Sequence, residues 1–554
     1  MRRSSLYGAA VVICLAASLP LHAQFSVNGR KMVYDKSTNT YFTSIPETSF
    51  GKDYPATVAL DADSAWTHLK IEGKDVETSC VFQQVEANRE YSLQAQKDGK
   101  DVNAKIVFTF LPIIDLQGDF GYDFSNGTLS LLNPDTSAPT TALLKAKWRG
   151  GTTNSEDRHK RNYKIKNLNE KGKSQDISFL GMRDDNNWIL DAGQVDMFRL
   201  RNRIATELWN DFATKPYYSD QEPKAKSGVE GRVVEVILNH EYAGIYSLTE
   251  AMDRKEMKLK KYDEKKQEFH GQLWKASGWD GTIFWDAENN YDNTQECWRS
   301  FETKYPDIED VNPTDYSTLY EAANLVANGD DDTFKKQVAS YFDIPVLIDY
   351  QIFLELNNAV DNIGKNLYWA VYDKAKSNKL TLAIWDLDAT MGQNYTDEPL
   401  RPDYVAPDNS LSVKSFNLYN RLITLDVDNY TQKVEKRYQE LRKSYLDETS
   451  LIERYRKYYT QLKNSGAAQR EVYRWSGDND IAGNPLDFDN EIEYIANWIQ
   501  KRLAYLDSEN SPLSTTIQKP LHSPSTPPAI YNTLGQKVTK SYKGIKIIRG
   551  KKYL

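Results

Sequence analysis

The sequence predicts a multidomain protein with an N-terminal β-sandwich-like domain, a larger α+β domain and a short C-terminal β-hairpin tail. A chain of 554 residues is longer than one hydrophobic core normally organises. Short runs of alternating apolar and polar residues fill the first hundred residues, and apolar residues at helical spacing dominate 427–507. An apolar content of 40%, with 35 Tyr and 12 Trp, excludes a disordered chain.

Residues 1–23 have the three regions of a Sec signal peptide. Arg2 and Arg3 form the basic n-region, 6–19 form the apolar h-region, and Ala23 ends a plausible cleavage site. An uncleaved anchor is the alternative. No other apolar run approaches ~20 residues, so we expect no transmembrane segment in the mature chain and a secreted or cell-surface location.

Residues 24–112 are expected to form the β-sandwich-like domain. Alternation with period two recurs there at regular spacing, for example at 57–60, 67–71, 91–95 and 105–110. No residues with evident chemistry fall in this stretch, which favours a spacer or docking role.

The second domain, 113–507, begins with strands and becomes increasingly helical. Pro345 marks the first turn of one helix. The expected elements are strands at 128–132, 142–148, 233–238 and 245–250, helices at about 194–212, 314–325, 331–340 and 343–358, a strand hairpin at 366–373 and 379–386, and helices throughout 427–507.

The C-terminal end divides into a linker and a tail. Residues 508–528 are rich in Ser, Pro and Thr, which is typical of a linker. Residues 529–554 contain I-Y-N-T-L-G-Q-K-V and end in G-I-K-I-I-R-G-K-K-Y-L. This pattern resembles the sorting tails of proteins exported by the type IX route, and an ordinary terminal hairpin is the alternative.

Charge and metal-ligand patterns exclude two classes of function. Seventy basic against 78 acidic residues give a net charge of −8, so nothing favours nucleic acid or an anionic membrane as a partner. The chain has no C-x-x-C and no His-rich run, so a zinc site is not supported.

Three side chains, Asp361, Asn366 and Asp386, have a spacing with chemical meaning. In protein kinases a catalytic-loop Asp is followed five positions later by an Asn that holds Mg²⁺, and a second metal-binding Asp follows the next hairpin. Asp361 and Asn366 have this spacing, and Asp386, with Asp388 nearby, follows the predicted hairpin. Turn-forming Asp and Asn residues without catalytic function are the alternative.

Four sequence blocks around this spacing resemble the spore-coat CotH kinase family. They occur in the family's order over about 140–395, and His240 departs from the family by replacing a usual Gly. The blocks are K-W-R-G-G-T-T from Lys147 with R-N-Y-K-I-K from Arg161, W-I-L from Trp188 with R-L-R-N-R-I-A-T-E-L from Arg199, V-E-V-I-L-N-H-E-Y-A-G-I-Y-S-L-T-E from Val234, and I-W-D-L-D-A-T-M-G from Ile384.

The resemblance implies a two-lobed, protein-kinase-like α+β domain that uses ATP with Mg²⁺ or Mn²⁺ and phosphorylates an exported or surface protein. Asp361 would be the base or orienting group, and Asn366 and Asp386 would hold metal. Asp388 would be a second metal ligand or a structural carboxylate.

A glycine turn would cover the phosphates, since absent side chains let backbone N–H groups approach an anion. Its residues are Gly150, Gly151, Thr152 and Thr153, and a plain hairpin turn is the alternative.

The resemblance also implies a phosphate-binding lysine and its partner. Lys164 and Lys166 are expected to alternate on one strand so that only one faces the cleft, and Lys166 is slightly favoured. Glu207 would hold that lysine as an ion pair, although a helix pair with Arg203 is equally open. Glu250 would lie at a hinge that offers backbone groups to the nucleobase.

Two other functions would use the same residues or fold. One is a catalytically silent, kinase-like surface adhesion or glycan-binding protein, since an aromatic content of 12% suits stacking on sugars. The other is metal-dependent hydrolysis of a phosphate ester with water as acceptor. The intact Asp361, Asn366 and Asp386 set favours phosphoryl transfer over silent binding.

Overall fold

The computed structural model describes residues 25–60, 66–97, 100–155, 158–279, 281–393, 412–480 and 483–515, together with four short strands between 530 and 553. The predicted signal peptide, 1–23, lies outside the described residues. So do 516–528 of the predicted linker and much of the predicted tail.

The N-terminal part consists of strands, which confirms its predicted strand-rich character. Two sheets, in the orders β2-β1-β5-β8 and β3-β4-β10-β9-β6-β7, share one apolar core in which the rings of Phe82, Tyr91 and Phe108 meet edge to face. The strands are β1 (Phe25–Val27), β2 (Arg30–Lys31), β3 (Val33–Asp35), β4 (Thr40–Ser44), β5 (Tyr54–Leu60), β6 (Trp66–Ile71), β7 (Lys74–Asp75), β8 (Ser79–Phe82), β9 (Tyr91–Lys97) and β10 (Lys100–Thr109).

A closed seven-stranded barrel follows, and the sequence did not predict its closure. The strand order is β11-β12-β13-β14-β15-β17-β16, and the parallel pairing of β16 with β11 closes it. Large apolar side chains such as Ile165, Trp188 and Tyr246 fill its interior. The strands are β11 (Ile113–Gly118), β12 (Ser125–Leu132), β13 (Thr140–Arg149), β14 (Asn162–Leu168), β15 (Asn187–Asp191), β16 (Gly231–Leu238) and β17 (Glu241–Glu250).

The helix that packs against the barrel, α1 (Arg201–Phe212), is shorter than the predicted helix at 194–212. The preceding residues form turns around Asp196, whose carboxylate accepts hydrogen bonds from the backbone N–H groups of Phe198 and Arg201 at 2.8 and 2.7 Å. Arg199 has a φ of +64°, which is incompatible with a right-handed helix. These local bonds compete with helix formation, so the helix begins seven residues later than its apolar spacing indicated.

The remainder of the described chain combines a five-stranded sheet, in the order β19-β20-β18-β21-β22, with helices. Its strands are β18 (Gln272–Ala276), β19 (Cys297–Trp298), β20 (Phe301–Tyr305), β21 (Leu367–Val371) and β22 (Leu380–Ile384). Its helices are α2 (Arg254–Met257), α3 (Ser317–Asn328), α4 (Asp331–Tyr341), α5 (Ile344–Asn357), α6 (Asn417–Thr424), α7 (Tyr430–Leu441), α8 (Glu448–Asn464), α9 (Ala467–Arg474) and α10 (Phe488–Leu506).

Helix α5 and the β21–β22 hairpin place the loops that matter for function. Eleven of the fourteen residues of α5 are buried, so the helix runs through the core rather than along the surface. It ends at Asn358, whose φ of +49° turns the chain out of the helix. Residues 359–366 then lead into β21, and β22 leads into 385–393.

Residues that follow α10, up to residue 515, pack against the main apolar core. Leu513, which falls in the predicted linker, is 3% exposed and belongs to the main core cluster. Further on, the strands β23 (Ile530–Tyr531), β24 (Lys537–Val538), β25 (Lys546–Ile548) and β26 (Lys551–Tyr553) pair in one antiparallel sheet. Within the described residues, no helix combines the length and apolar character needed to cross a bilayer.

Helix α9 is joined to the barrel by a buried charge. The carboxylate of Glu471 contacts Lys160 Nζ and Arg199 Nε at 2.7 Å each, and all three side chains have no solvent-exposed surface. It also accepts a hydrogen bond of 2.7 Å from the backbone N–H of Ile245 on β17. At Gly244, a Cβ atom would lie 2.0 Å from this carboxylate, so glycine permits the approach.

Substitution of Glu471 by Ala should destabilise the protein strongly. Two buried cations would lose their shared carboxylate, a change that costs about 3–5 kcal/mol. The matched control is Glu241→Ala, because Glu241 pairs with Lys36 and Arg474 but is 43% exposed, and such surface pairs contribute less than about 1 kcal/mol. Thermal unfolding followed by circular dichroism measures both, and equal shifts in the two variants would contradict the prediction.

Candidate active site

One cavity of about 930 Å³ lies between the barrel, α1 and the five-stranded sheet. It is lined by seven of the twelve residues that the sequence singled out for the site. They are Gly150, Gly151, Thr153, Asp361, Asn366, Asp386 and Asp388. The backbone of Thr152 lies in the same turn, in a short 3₁₀ segment Thr152–Asn154. Residues separated by more than 200 positions are therefore brought together.

Asp361 is mostly buried and held by its two neighbours. Its Oδ2 accepts a hydrogen bond of 2.8 Å from Asn366 Nδ2, and its Oδ1 lies 2.8 Å from Lys365 Nζ. Burial raises the pKa of Asp361, and the negative charge of Asp386 raises it further, while Lys365 and Asn366 act in the opposite direction. The carboxylate is thus oriented toward a cavity in which a second carboxylate is close enough to affect its protonation.

The backbone at Asn366 and Asp386 has left-handed conformation, with φ values of +57° and +61°. Such conformations are uncommon for residues other than glycine and are frequent where a structure holds functional groups under constraint. Asn362 provides the constraint, because its Nδ2 donates to the backbone oxygens of Trp385 and Asp386 at 2.7 and 3.2 Å. From the sequence alone, Asn362 is expected only to be a turn-forming residue.

Asp191 and Asn202 also belong to the site, and sequence reasoning missed both. Both line the cavity, from β15 and α1. Asn202 Nδ2 donates to Asp191 Oδ2 at 2.7 Å, and its Oδ1 accepts from the N–H of Leu387 at 3.0 Å. Burial raises the pKa of Asp191, with a smaller increase from Asp386. The signal available in the sequence was the R-N-R segment that contains Asn202.

The glycine turn after β13 forms one rim of the cavity. Gly150 has a φ of +107°, and a Cβ atom there would lie 2.2 Å from Thr153 Oγ1. Thr153 Oγ1 accepts a hydrogen bond of 3.1 Å from Asn162 Nδ2 on β14, which closes the turn. Glycine is therefore required for the turn itself, and the backbone remains accessible at Gly151, where added atoms would meet nothing within 4 Å.

The prediction that Lys164 and Lys166 face opposite ways is wrong. Positions two apart on a strand point to the same side, and here the buried Tyr163 and Ile165 face the barrel interior while both lysines lie outside. In the strand register Lys164 lies between Lys147 and Ile189, which both line the cavity. Lys164 is consequently the nearer of the two, although neither lysine lines the cavity itself.

The basic side chains that line the cavity directly are Lys147, Arg149, Arg203, Lys275 and Lys365. Lys275 is on β18, in a stretch where the sequence offered no signal beyond an alternating strand. Burial lowers its pKa, Asp386 opposes that effect, and Arg149 adds to it. A half-buried lysine that interacts electrostatically with the predicted metal-binding carboxylate is well placed to neutralise phosphate.

Glu207 and Glu250 do not reach the cavity. Glu207 accepts a hydrogen bond of 2.6 Å from Tyr458 and lies 3.3 Å from Arg203 Nε, so the structure shows the helix pair rather than the lysine pair. Glu250 is 1% exposed, and its carboxylate accepts hydrogen bonds from the backbone N–H groups at 183 and 230. Its side chain fixes the end of β17, while the adjacent Thr249 lines the cavity.

The oxygen donors fit a small divalent cation that also binds phosphate. Among the described residues, no three His, Cys, Asp or Glu side chains form a cluster able to hold a metal by themselves. Mg²⁺ is normally bound by one or two carboxylates with water and substrate phosphates, so it does not need such a cluster. Asp386, Asp388 and the side-chain amide of Asn366 supply suitable oxygen donors in the cavity, whose lining also includes basic side chains.

Comparison with known protein families identifies the family of this chain. The family model described as CotH kinase protein matches residues 146–506, which is more than half of the chain, and the protein therefore belongs to this family. The match includes the glycine turn, α1 and both acidic loops. A search of curated proteins found no match.

Lys164 should lower the stability of the folded protein at neutral pH. Burial, together with the charges of Lys166, Lys304, Arg149 and Lys147, lowers its pKa to about 8 from the ordinary 10.5. Below pH 8 the lysine is charged in both folded and unfolded states and the full cost applies. Between about pH 8 and pH 10.5 the lysine loses its proton in the folded protein but keeps it in the unfolded protein, so the cost to stability decreases. It vanishes above about pH 10.5.

Lys164→Met should therefore raise the free energy of unfolding at pH 7 by about 1–2 kcal/mol, and by little at pH 10.5. Lys171→Met removes an exposed lysine from the turn after β14 and serves as the matched control. Thermal unfolding at the two pH values measures the effect. A destabilised Lys164→Met protein at pH 7 would contradict the assigned environment.

Proposed function

We propose that the protein transfers the γ-phosphate of ATP to a hydroxyl group of an exported or surface protein, with Mg²⁺ or Mn²⁺. The observation that carries this proposal is that Asp361, Asn366, Asp386 and the glycine turn share one cavity with several basic side chains, among them Lys147, Arg149 and Lys275. Membership of the CotH kinase protein family supports the same reaction class.

In this proposal the barrel with α1 acts as the smaller lobe of a kinase-like domain, and the five-stranded sheet with its helices acts as the larger one. The cavity between them receives the nucleotide. Its lining includes the apolar side chains of Ile189, Val229 and Ile384, which suit a nucleobase.

Asp361 would orient the acceptor and take its proton. The acceptor oxygen attacks the γ-phosphorus, the bond from that phosphorus to the β–γ bridging oxygen breaks, and ADP leaves with the bond's electron pair. The hydroxyl proton passes to Asp361 Oδ, which Lys365 and Asn366 keep in place. The raised pKa of Asp361 makes the carboxylate a better proton acceptor, and its activity is lost as the pH falls through that pKa.

Charge on the triphosphate would be balanced from two sides. Arg149, Lys147 and Lys275 face the cavity as cations, and backbone N–H groups of the glycine turn are available at its rim. Asp386, Asn366 and Asp388 would hold the divalent metal. When bound, such a metal would neutralise negative charge on the triphosphate, including the charge that develops during transfer.

A silent glycan-binding protein is the second candidate, and the aromatic lining of the same cavity favours it. Tyr122, Trp148 and Trp385 contribute to that lining, and Tyr122 is 56% exposed. However, Arg161 lies 4.6 Å from the ring centre of Trp148, and Arg149 lies 5.4 Å from that of Trp385. Guanidinium groups thus already occupy positions over both indoles, which leaves Tyr122 as the ring best able to stack on a sugar.

Asp386→Ala should abolish phosphoryl transfer, because the metal would lose its central carboxylate. Asp361→Asn should lower kcat by about 10²-fold or more while the KM for ATP stays within about threefold, since an orienting base acts mainly in the transition state. Incorporation of labelled γ-phosphate into an acceptor protein, with Mg²⁺ or Mn²⁺, measures both. Asp388→Ala separates a metal ligand, which gives a severe loss, from a structural carboxylate, which gives a mild one.

The matched control is Asp220→Ala, which removes an exposed carboxylate outside the cavity and should leave transfer unchanged. Nucleotide binding measured by calorimetry provides a second readout. If the wild-type protein binds no nucleotide with either metal but does bind oligosaccharides, the phosphotransferase function is contradicted and the glycan-binding function is supported. Release of inorganic phosphate from small esters without acceptor labelling would indicate hydrolysis.

We further propose that the protein is exported, with cleavage near Gln24 and the tail at 529–554 acting as the sorting signal. Deletion of 529–554 should leave a folded core that is retained in the cell, because the tail follows a linker and lies beyond the core formed by α10 and Leu513. Cell fractionation and N-terminal sequencing measure the two parts. A mature chain that begins at Met1, or a truncated chain that still reaches the exterior, would contradict the corresponding part.

A further inference from the structure

Four lysines form a continuous basic surface on the outside of the barrel next to the cavity. They are Lys145 and Lys147 on β13 and Lys164 and Lys166 on β14, and we call them the lysine platform. In the strand register Lys145 is directly opposite Lys166, and Lys147 is directly opposite Lys164. Like charges placed opposite each other across two strands repel and destabilise the sheet.

The surrounding described residues do not neutralise this charge. Within that part of the chain, no carboxylate lies within 4.0 Å of any of the four ammonium groups. Their shared neighbour is the ring of Phe124, with Lys145, Lys147 and Lys166 at 5.3, 5.1 and 5.3 Å from its centre. A ring face gives each cation only a weak interaction, so the surface keeps a strong attraction for anions.

The position of the platform distinguishes it from the phosphate region. Lys147 lines the cavity, whereas Lys145 and Lys166 do not. Lys145 lies two residues before Lys147 on β13, which places it about 7 Å farther from the cavity along the strand. Arg149 and Lys275 already face the interior of the cavity, so a triphosphate has its own cations there. The outer lysines therefore suit a ligand that extends from the cavity along the barrel.

We propose that the lysine platform binds acidic side chains of the protein substrate, close in sequence to the hydroxyl that receives the phosphate. An extended peptide advances about 7 Å every two residues, which matches the spacing of the lysines along β13. Alternate Asp or Glu side chains on one side of such a peptide would meet successive lysines. The inference rests on the proposed phosphotransferase function and specifies its substrate class as acidic protein segments.

The test compares two serine-containing peptides that differ only in charge, one with flanking Glu residues and one with Gln in the same places. Wild-type full-length protein, with ATP and Mg²⁺, should show a KM for the acidic peptide at least about fivefold lower at low salt. Because exposed ion pairs are screened, this preference should shrink at high NaCl concentration. Lys145→Gln with Lys166→Gln should remove most of the preference.

Lys171→Gln with Lys173→Gln is the matched control, since it removes two exposed lysines from the adjacent turn with the same change in charge. It should keep the wild-type preference. If the platform variant instead raises the KM for ATP and leaves the peptide preference intact, the lysines belong to the nucleotide site and the proposal is overturned. Equal KM values of wild-type protein for the two peptides would overturn it as well.

Direct binding keeps this inference separable from the proposed function. Fluorescence anisotropy of the labelled acidic peptide, without ATP, should show salt-sensitive binding to wild-type protein and weakened binding to the platform variant. Peptide binding without any transfer would reject the phosphotransferase function and retain an acidic-segment site. If the protein transfers phosphate but neither prefers nor binds the acidic peptide, the phosphotransferase function is retained and the acidic-segment site is rejected.

Discussion

The buried carboxylate of Glu471 is the contact on which the arrangement of the two halves depends. It pairs with Lys160 and Arg199, which lie just before β14 and just before α1, and it bonds to the backbone of β17. An unpaired charge in such a position would be very costly, so the three groups stay together. The helices after the sheet are thereby fixed to the barrel. Since the cavity has walls from both halves, its shape follows from this contact.

Neutral amides then position the charged groups inside the cavity. Asn362 holds the backbone at Trp385 and Asp386, and Asn202 joins Asp191 to the backbone at Leu387. An amide can do this without adding to the negative charge that Asp361, Asp386 and Asp191 already concentrate. Burial raises the pKa values of Asp361 and Asp191, and the negative charge of Asp386 adds a smaller increase to each. Concentrated negative charge of this kind suits a site that receives a cation, as the proposed metal would be.

Much of the local structure was predictable because it depends on neighbours in the chain. The β21–β22 hairpin, the long helices and the glycine turn follow from apolar periodicity and from glycine's access to positive φ. The start of α1 was not predictable in this way, because the side chain of Asp196 bonds to the backbone ahead of it and replaces a helical turn. The shared orientation of Lys164 and Lys166 could have been predicted, because residues two apart on a strand point to the same side.

By itself the sequence determined the residue types and spacings of the site: Asp361 with Asn366, Asp386 after a hairpin, and Gly150 in a turn. These features act over a few residues, where chain geometry leaves few alternatives. Only the tertiary structure decided that Lys275 faces Asp386 and that Glu207 turns away toward Tyr458. It also decided that the strands close into a barrel. Such outcomes depend on how distant elements pack against each other, and a spacing pattern contains no information about the direction from which a distant side chain arrives.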